Sequence, residues 1–183
     1  IPDLVKRCEA NIQCPKPAPN QASYVGVAKC KICHEDVVDW WKSISVNTNG
    51  LDETGHPTAR KIGHGIAWQS LVNAGKTKDR GCVGCHSAGF GEPGGPCRTD
   101  DLGPFTNVQC EACHGPGSKH IEAEGEGFIV SREIDEATCR ICHRVPHIPT
   151  TESFVFNDRL RIILGEGHGA DRLKRMDVGN KTP

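Results

Sequence analysis

The chain has 183 residues, of which 11 are cysteine, 9 are histidine, 5% are aromatic and 36% are hydrophobic. So few apolar side chains would form only a thin core for a domain of this length. The 22 basic and 23 acidic residues give a net charge of −1, which argues against a nucleic-acid partner or a basic membrane-binding face. No run of about 18 apolar residues is present to span a bilayer, so we expect a soluble chain with no membrane span.

The predicted elements, in chain order, are short. Residues 1–20 end in the proline-rich stretch PKPAPN, which is typical of a stiff linker, so we predict an N-terminal arm there. Apolar residues have helical spacing in 35–44 and again in 64–75, where Gly75 can serve as the C-cap. The glycine- and proline-rich stretch 89–104 predicts a loop. We therefore expect mainly coil with short α-helices and little or no β-sheet.

Four pairs of cysteines share one spacing, and a histidine follows each pair. Two thiols three positions apart can form thioethers to one porphyrin edge, and the next residue places an imidazole under the iron, so C-x-x-C-H is the attachment signature of c-type haem. We predict four covalently bound haem c groups, each with its iron, at the centre of a tetrahaem cytochrome domain over 21–183. The motifs are, in chain order, Cys30, Cys33 and His34; Cys82, Cys85 and His86; Cys110, Cys113 and His114; and Cys139, Cys142 and His143.

Other uses of these cysteines explain the pattern less well. Structural zinc would combine the pairs as Cys₄ sites and would leave the histidine after each pair without a role. Cysteines three positions apart seldom form disulfides outside strained redox sites. The porphyrins, in contrast, would supply the buried apolar surface that the side chains lack, so the fold should collapse without haem.

Three cysteines lie outside the motifs: Cys8, Cys14 and Cys97. We expect a Cys8–Cys14 disulfide in an oxidising compartment, although the sequence equally allows a bridge from either residue to Cys97. With Cys8 and Cys14 joined, Cys97 would be a free thiol or an intersubunit link.

Five histidines remain as second axial ligands for four irons. The single methionine, Met176, could serve one haem at most, so bis-histidine ligation with low reduction potentials is the general expectation. The remaining histidines are His56, His64, His120, His147 and His168.

Two of these histidines follow a motif closely. Two ligands of one iron approach from opposite faces of a porphyrin roughly 10 Å across, and an extended chain covers about 3.3–3.6 Å per residue. His147 lies four residues after His143, and His120 six after His114. His147 should therefore ligate a haem other than the fourth, and His120 one other than the third. Each short segment would then join two haems in the near contact that rapid electron tunnelling requires.

Five stretches carry a resemblance to a known family: YVGVAKCKICH (24–34), GHGIAWQSLVNAGK (63–76), CVGCHSAGF (82–90), NVQCEACHGPGSKH (107–120) and CRICH (139–143). They resemble the multihaem cytochromes related to the tetrahaem cytochrome c of ammonia-oxidising bacteria, which include tetrahaem subunits of extracellular cytochrome filaments.

The resemblance implies roles for individual histidines. It makes His64 and His120 distal ligands, and His168 is similar to the late histidine of the filament subunits. Residues 43–60, which include His56, look like an insertion relative to the family, and residues 1–20 resemble no part of it.

We predict an electron-transfer protein and not an enzyme, because five ligands for four irons argue against an open iron position. The resemblance and the surplus histidine further predict head-to-tail polymerisation into an extracellular filament, in which His56, or else His168, ligates an iron of the next subunit. Redox-partner cytochromes or extracellular acceptors would exchange electrons with it. The alternatives are a soluble periplasmic carrier, or an enzyme acting on a small nitrogen species at one five-coordinate haem.

Covalent haem attachment of this type takes place outside the cytoplasmic membrane. The sequence begins at Ile1 without the apolar core of a signal peptide. We therefore expect a mature, exported form that is extracellular or periplasmic.

Overall fold

Short helices separated by long stretches of coil make up the computed structural model, which describes residues 12–44, 63–126, 131, 133–144, 154–165 and 167–179. His56, His147 and Cys8 lie outside the described residues. The helices within these ranges are α1 (Val27–Lys31), α2 (Glu35–Ile44), α3 (Ala67–Asn73), α4 (Arg80–Val83), α5 (Cys110–His114), α6 (Ser118–Glu122), α7 (Glu136–Arg140), α8 (Phe156–Ile163) and α9 (Ala170–Gly179), with 3₁₀ turns at His64–Ile66 and Gly103–Phe105.

The predicted fold class is confirmed. Helix α2 has the bounds expected from its apolar spacing. The second predicted helix begins as a 3₁₀ turn and ends at Asn73, because Gly75 adopts a φ of 65° and lets the Lys76 N–H donate to the Leu71 carbonyl. Within the described ranges, extended pairing is limited to isolated bridges at Ser87–Thr106 and Gly165–His168.

Side chains alone build only two small apolar clusters in the described part of the chain. One combines Ile134 with Leu160, Ile163 and Leu164, and the other consists of Leu71, Val83 and Leu102. None of the described helices is long and apolar enough to cross a membrane. The four C-x-x-C-H motifs begin on α1, α4, α5 and α7. These helices line two cavities, which lie beside the apolar clusters.

A disulfide joins Cys14 to Cys97, so the expectation of a Cys8–Cys14 bridge, with Cys97 free or linking subunits, is wrong. The reason is the path of the N-terminal arm, which runs along the 89–104 loop and accepts a 3.1 Å hydrogen bond from the Gly94 N–H at the Pro15 carbonyl. This contact brings Cys14 to the buried Cys97.

The segment that follows the arm packs closely on the start of this loop. A Cβ at Gly89 would lie 2.5 Å from Cγ of Tyr24, and Gly89 has a φ of 65°. Only glycine fits such a contact in this conformation. The disulfide and the Tyr24 contact therefore hold residues 14–24 against the loop.

Candidate haem-binding site

Two cavities contain the motif residues. The first cavity has a volume of about 980 Å³ and is lined by side chains of the first and third motifs, together with His120 and His168. Helix α2 and the apolar cluster at Ile134, Leu160 and Ile163 form much of its apolar wall.

The second cavity has a volume of about 790 Å³ and is lined by side chains of the second and fourth motifs, together with His64. Tyr24, Gly89 and Phe90 contribute to its wall, so the segment after the arm and the 89–104 loop cover part of it. Cys113 of the third motif lines both cavities, which are therefore neighbours.

Three pairs of histidine rings lie at the spacing of two ligands on one metal. Two imidazoles that bind one ion from opposite sides, each at about 2.0–2.1 Å, have ring centroids about 6 Å apart. The ring centroids are 6.1 Å apart for His34 and His120, 5.9 Å for His64 and His143, and 5.9 Å for His114 and His168. Each pair joins the histidine of a C-x-x-C-H motif to a histidine from elsewhere in the chain.

Backbone carbonyls orient three of the rings. Nδ1 of His86 lies 2.7 Å from the Ala67 carbonyl oxygen, and Nδ1 of His168 lies 2.8 Å from that of Ile163. Nδ1 of His114 is similarly held, at 2.6 Å from the carbonyl oxygen of Ser131. A carbonyl at Nδ1 fixes the proton there and leaves Nε2 free to bind a metal.

Two further rings contain buried nitrogens without a hydrogen-bond partner, Nδ1 of His64 and Nδ1 of His120. Burial, helped by His143, lowers the pKa of His64 to about 4, and burial also lowers the pKa of His168. Neutral imidazoles with an available ring nitrogen are the form that binds iron. These rings therefore fit haem ligation.

The cysteine side chains show which motifs are neighbours. A hydrogen bond with Cys110 raises the pKa of the Cys30 thiol, and one with Cys85 raises the pKa of Cys142. Burial, with the nearby Cys139, raises the pKa of Cys113 to about 11. The first motif therefore adjoins the third, the second adjoins the fourth, and the third adjoins the fourth.

In the described structure, each candidate distal histidine thus lies beside the histidine of one motif. His120 lies beside His34 and not beside His114, six residues before it, while His168 lies beside His114 and His64 beside His143. The ligand roles of His56 and His147, outside the described residues, stay predictions. In the described ranges, no three His, Cys, Asp or Glu side chains are arranged to hold a free metal ion.

The sequence analysis missed a tryptophan that lies between the two cavities. The Trp41 ring stacks on His64 at 5.8 Å and meets His168 edge-on at 6.1 Å. Its Nε1–H donates to the Val108 carbonyl at 3.3 Å. Trp41 looked like any apolar position of helix α2, so the sequence offered no signal for this contact.

Two buried polar side chains of the third motif region were missed as well. Gln109 accepts a hydrogen bond from the Val27 N–H at 2.9 Å and donates to the carbonyls of Pro104 and Thr106. Glu111, inside the motif itself, is only 3% exposed and accepts hydrogen bonds from backbone N–H groups of two other segments. Local sequence gives no signal for such long-range partners.

Comparisons with known proteins find similar chains. Residues 29–115 match the family described as cytochrome c554 and c-prime. Cytochrome c-554 of Nitrosomonas europaea is 34% identical over 98 residues, which cover 52% of this chain and 40% of that protein. The structure of reduced cytochrome c554 from the same organism has a similar fold, with a TM-score of 0.52 and 21% identity over 86% of this chain and 97% of the other.

Proposed function

We propose that this chain, which is similar to cytochrome c-554 of Nitrosomonas europaea over 98 residues, transfers electrons through four covalently bound haem c groups. The observation that carries the proposal is the set of three histidine pairs with ring centroids 5.9 to 6.1 Å apart, each including a motif histidine. Haem c, when bound, supplies one-electron redox chemistry. Two axial histidines would hold each iron in a low-spin state, with no position for a substrate.

The ligand assignments follow from the pairs. His34 with His120 would hold the first haem, and His114 with His168 the third. His143 with His64 would hold the fourth. The eight motif cysteines would form the thioethers, two to each haem.

The second haem would be held by His86, together with a histidine outside the described residues. His147 is our choice, because it follows the fourth motif closely and Cys142 of that motif contacts Cys85 of the second. This assignment agrees with the sequence argument that His147 cannot serve the fourth haem.

The contacts between thiols support a single row of haems. The first haem would adjoin the third through Cys30 and Cys110, and the third would adjoin the fourth through Cys113 and Cys139. The fourth would adjoin the second through Cys142 and Cys85. Electrons would therefore pass in the order first, third, fourth, second, or in reverse, and not in the order of the sequence.

Intact mass and optical spectra test this proposal. We expect a mass increment of four haems and a spectrum in which every haem is low-spin. Fewer than four haems would contradict the proposal, and a strong high-spin ferric signal in the unmodified protein would favour the enzyme alternative.

We further propose that the protein is exported and forms a filament, in which His56 would ligate the second iron of the next subunit in the place that His147 would have in a single chain. The support is the ligand count, because His64, His120 and His168 lie beside motif histidines of their own chain, so the iron at His86 is the one left for a ligand from another subunit. His168, the other candidate for ligation across subunits, is already close to His114.

Electron microscopy of the unmodified protein and of His56→Ala tests the filament. We expect filaments only with His56 present, and low-spin monomers in the variant, in which His147 would complete the second iron within one chain. A chain that stays monomeric at high concentration would favour a soluble periplasmic carrier instead. If His56→Ala polymerises with every haem low-spin, ligation across subunits by this residue is excluded.

A further inference from the structure

Glu111 connects the two attachment segments of the first cavity. Its Oε1 accepts hydrogen bonds from the N–H groups of Val25 at 3.0 Å and Gly117 at 2.8 Å. Its Oε2 accepts from the N–H groups of Gly26 at 2.7 Å and again of Val25 at 3.1 Å. The segment before α1, which carries the first motif, is therefore fastened to α5, which carries the third.

The hydrogen bonds fit an ionised carboxylate. A protonated acid would need an acceptor for its O–H, whereas the hydrogen bonds found for Glu111 in the described structure all come from backbone N–H groups. No Lys or Arg in the described ranges forms an ion pair with it. A buried carboxylate of this kind is stabilised by the N–H dipoles that donate to it.

The charge lies beside both attachment sites. Glu111 lines the first cavity together with Cys30 and Cys110. After the hydrogen bond with Cys110 and burial, the charge of Glu111 contributes to the raised pKa of Cys30. The same charge opposes the lowering of the Cys110 pKa that the hydrogen bond with Cys30 produces. One anion therefore acts on the sulfur atoms of two motifs.

We propose that Glu111 is a positioning residue that fixes the first motif against the third and, through its buried charge, lowers the reduction potentials of the two haems in the first cavity. The inference rests on the haem placement proposed above. It assigns Glu111 a role in setting which haems of the row are hardest to reduce.

The direction of the shift in reduction potential follows from the charges. When a ferric haem takes one electron it becomes ferrous, and its net charge falls by one. A nearby anion stabilises the more positive ferric form, and it does so strongly in a buried site because little water screens it. Neutralising Glu111 should therefore raise the potentials of the first and third haems and leave those of the second and fourth nearly unchanged.

A spectroelectrochemical titration of the holoprotein with Glu111→Gln tests the inference. At a fixed electrode potential, we expect the ratio of reduced to oxidised haem to rise at least tenfold for two of the four haems, which corresponds to about 59 mV for a one-electron couple. The exposed Glu126→Gln removes the same charge from the surface and should leave all four potentials in place, because solvent screens it.

A variant of Gln109 separates the effect of the Glu111 charge from the effect of fastening the first motif to the third. Gln109→Ala removes the hydrogen bond that Gln109 accepts from the Val27 N–H, next to the segment that Glu111 holds, without changing charge. It should lower the thermal unfolding midpoint but leave the potentials unshifted. A potential shift as large as that of Glu111→Gln would assign the effect to docking and overturn the inference.

The remaining outcomes are also decisive. Unchanged potentials in a four-haem Glu111→Gln protein would overturn the inference while leaving the proposed function intact, which haem content and spin state test separately. If Glu111→Gln does not retain its haems, Glu111→Asp, which keeps the charge, replaces it. Low potentials retained in Glu111→Asp support the role of the charge, and raised potentials with all haems low-spin refute it.

Discussion

The two cavities hold their motif helices in place by different means. In the second cavity, each motif helix begins at an aspartate whose side chain accepts a backbone hydrogen bond, Asp79 from Gly81 at 3.1 Å and Asp135 from Thr138 at 2.9 Å. In the first cavity, α1 and α5 have no side-chain cap. The buried Glu111 instead satisfies the backbone before α1, at a sequence separation of 86 residues from Val25.

The difference separates local from global stabilisation. An aspartate cap acts within one turn of its own helix and works before the rest of the chain is in place. The bonds to Glu111 exist only when distant parts of the chain have met. The first cavity therefore depends on the whole fold, whereas the motif helices of the second cavity are partly stabilised by their own sequence.

The largest expected effect comes from removing the third haem, because Cys113 of its motif lines both cavities. Cys110→Ala/Cys113→Ala should prevent attachment at the third motif. The apolar wall of the first cavity, which includes Ile134, Leu160 and Ile163, would then face solvent instead of a porphyrin. Because side chains alone form only small apolar clusters in the described part of the chain, we expect no cooperative unfolding transition by circular dichroism.

The matched double variant is Cys82→Ala/Cys85→Ala in the second motif. Cys85 lines the second cavity and not the first, whereas Cys113 lines both. It should lose one haem by mass and keep the haem on His34 low-spin. If both double variants lose their cooperative unfolding transition, the two cavities do not differ in their dependence on the whole fold.

Next in size is the loss of one axial ligand. His120→Ala should turn only the haem on His34 high-spin, because these rings form a pair in the first cavity. His64→Ala should do the same only for the haem on His143. Electron paramagnetic resonance of the ferric proteins measures the high-spin fraction, which we expect to be one haem in four for each variant.

Lys119→Ala, at a half-buried neighbour whose Nζ pairs with Glu122, controls for disturbance of helix α6 and should remain fully low-spin. A high-spin haem on His114 in the His120→Ala protein would contradict the assignment of His120 to the first haem.

A smaller effect is expected from the disulfide, which joins Cys14 to the loop beside the second cavity. Cys97→Ser should lower the free energy of unfolding by about 2–4 kcal/mol, because the bridge closes a loop with a sequence separation of 83 residues. Chemical denaturation with and without Cys97→Ser measures the change. Cys8→Ser should have no such effect, and a reversed result would restore the Cys8–Cys14 pairing.

The smallest expected effect is the pH dependence of stability that comes from Asp135, the N-cap of helix α7. Hydrogen bonds from the backbone and side chain of Thr138 lower the pKa of Asp135. A carboxyl whose folded pKa lies below its unfolded value of about 3.9 stabilises the fold above that value and loses this contribution as the pH falls through the folded pKa. Asp135→Asn keeps a capping oxygen that does not titrate.

The thermal unfolding midpoints of the unmodified and Asp135→Asn proteins should therefore differ slightly at neutral pH and converge in acid. A difference that grows as the pH falls below 3.9 would be inconsistent with a lowered pKa.

The features that the sequence analysis predicted correctly are those with local signals. Helix α2 and the Gly75 terminus follow from apolar spacing and from the conformational freedom of glycine. The C-x-x-C-H motifs are local by chemistry, because one porphyrin needs two thiols at fixed spacing.

The features that it missed depend on long-range contacts. The disulfide between Cys14 and Cys97 has no signal in the local sequence, and neither has the hydrogen bond from the Val25 N–H to Glu111. The grouping of the motifs into two cavities is set by the packed chain, and the spacing of cysteines carries no information about it. The geometric argument excluded His114 as the partner of His120, but only the folded chain brings His120 to His34.

The lining of the first cavity has a consequence for biogenesis. Its wall extends along the chain from Cys30 to Arg175, so a growing or translocating polypeptide cannot complete it until Arg175 has emerged. The thiols of the first motif would be accessible during that interval. The proposed covalent linkage of haem would then come before the native state and not after it.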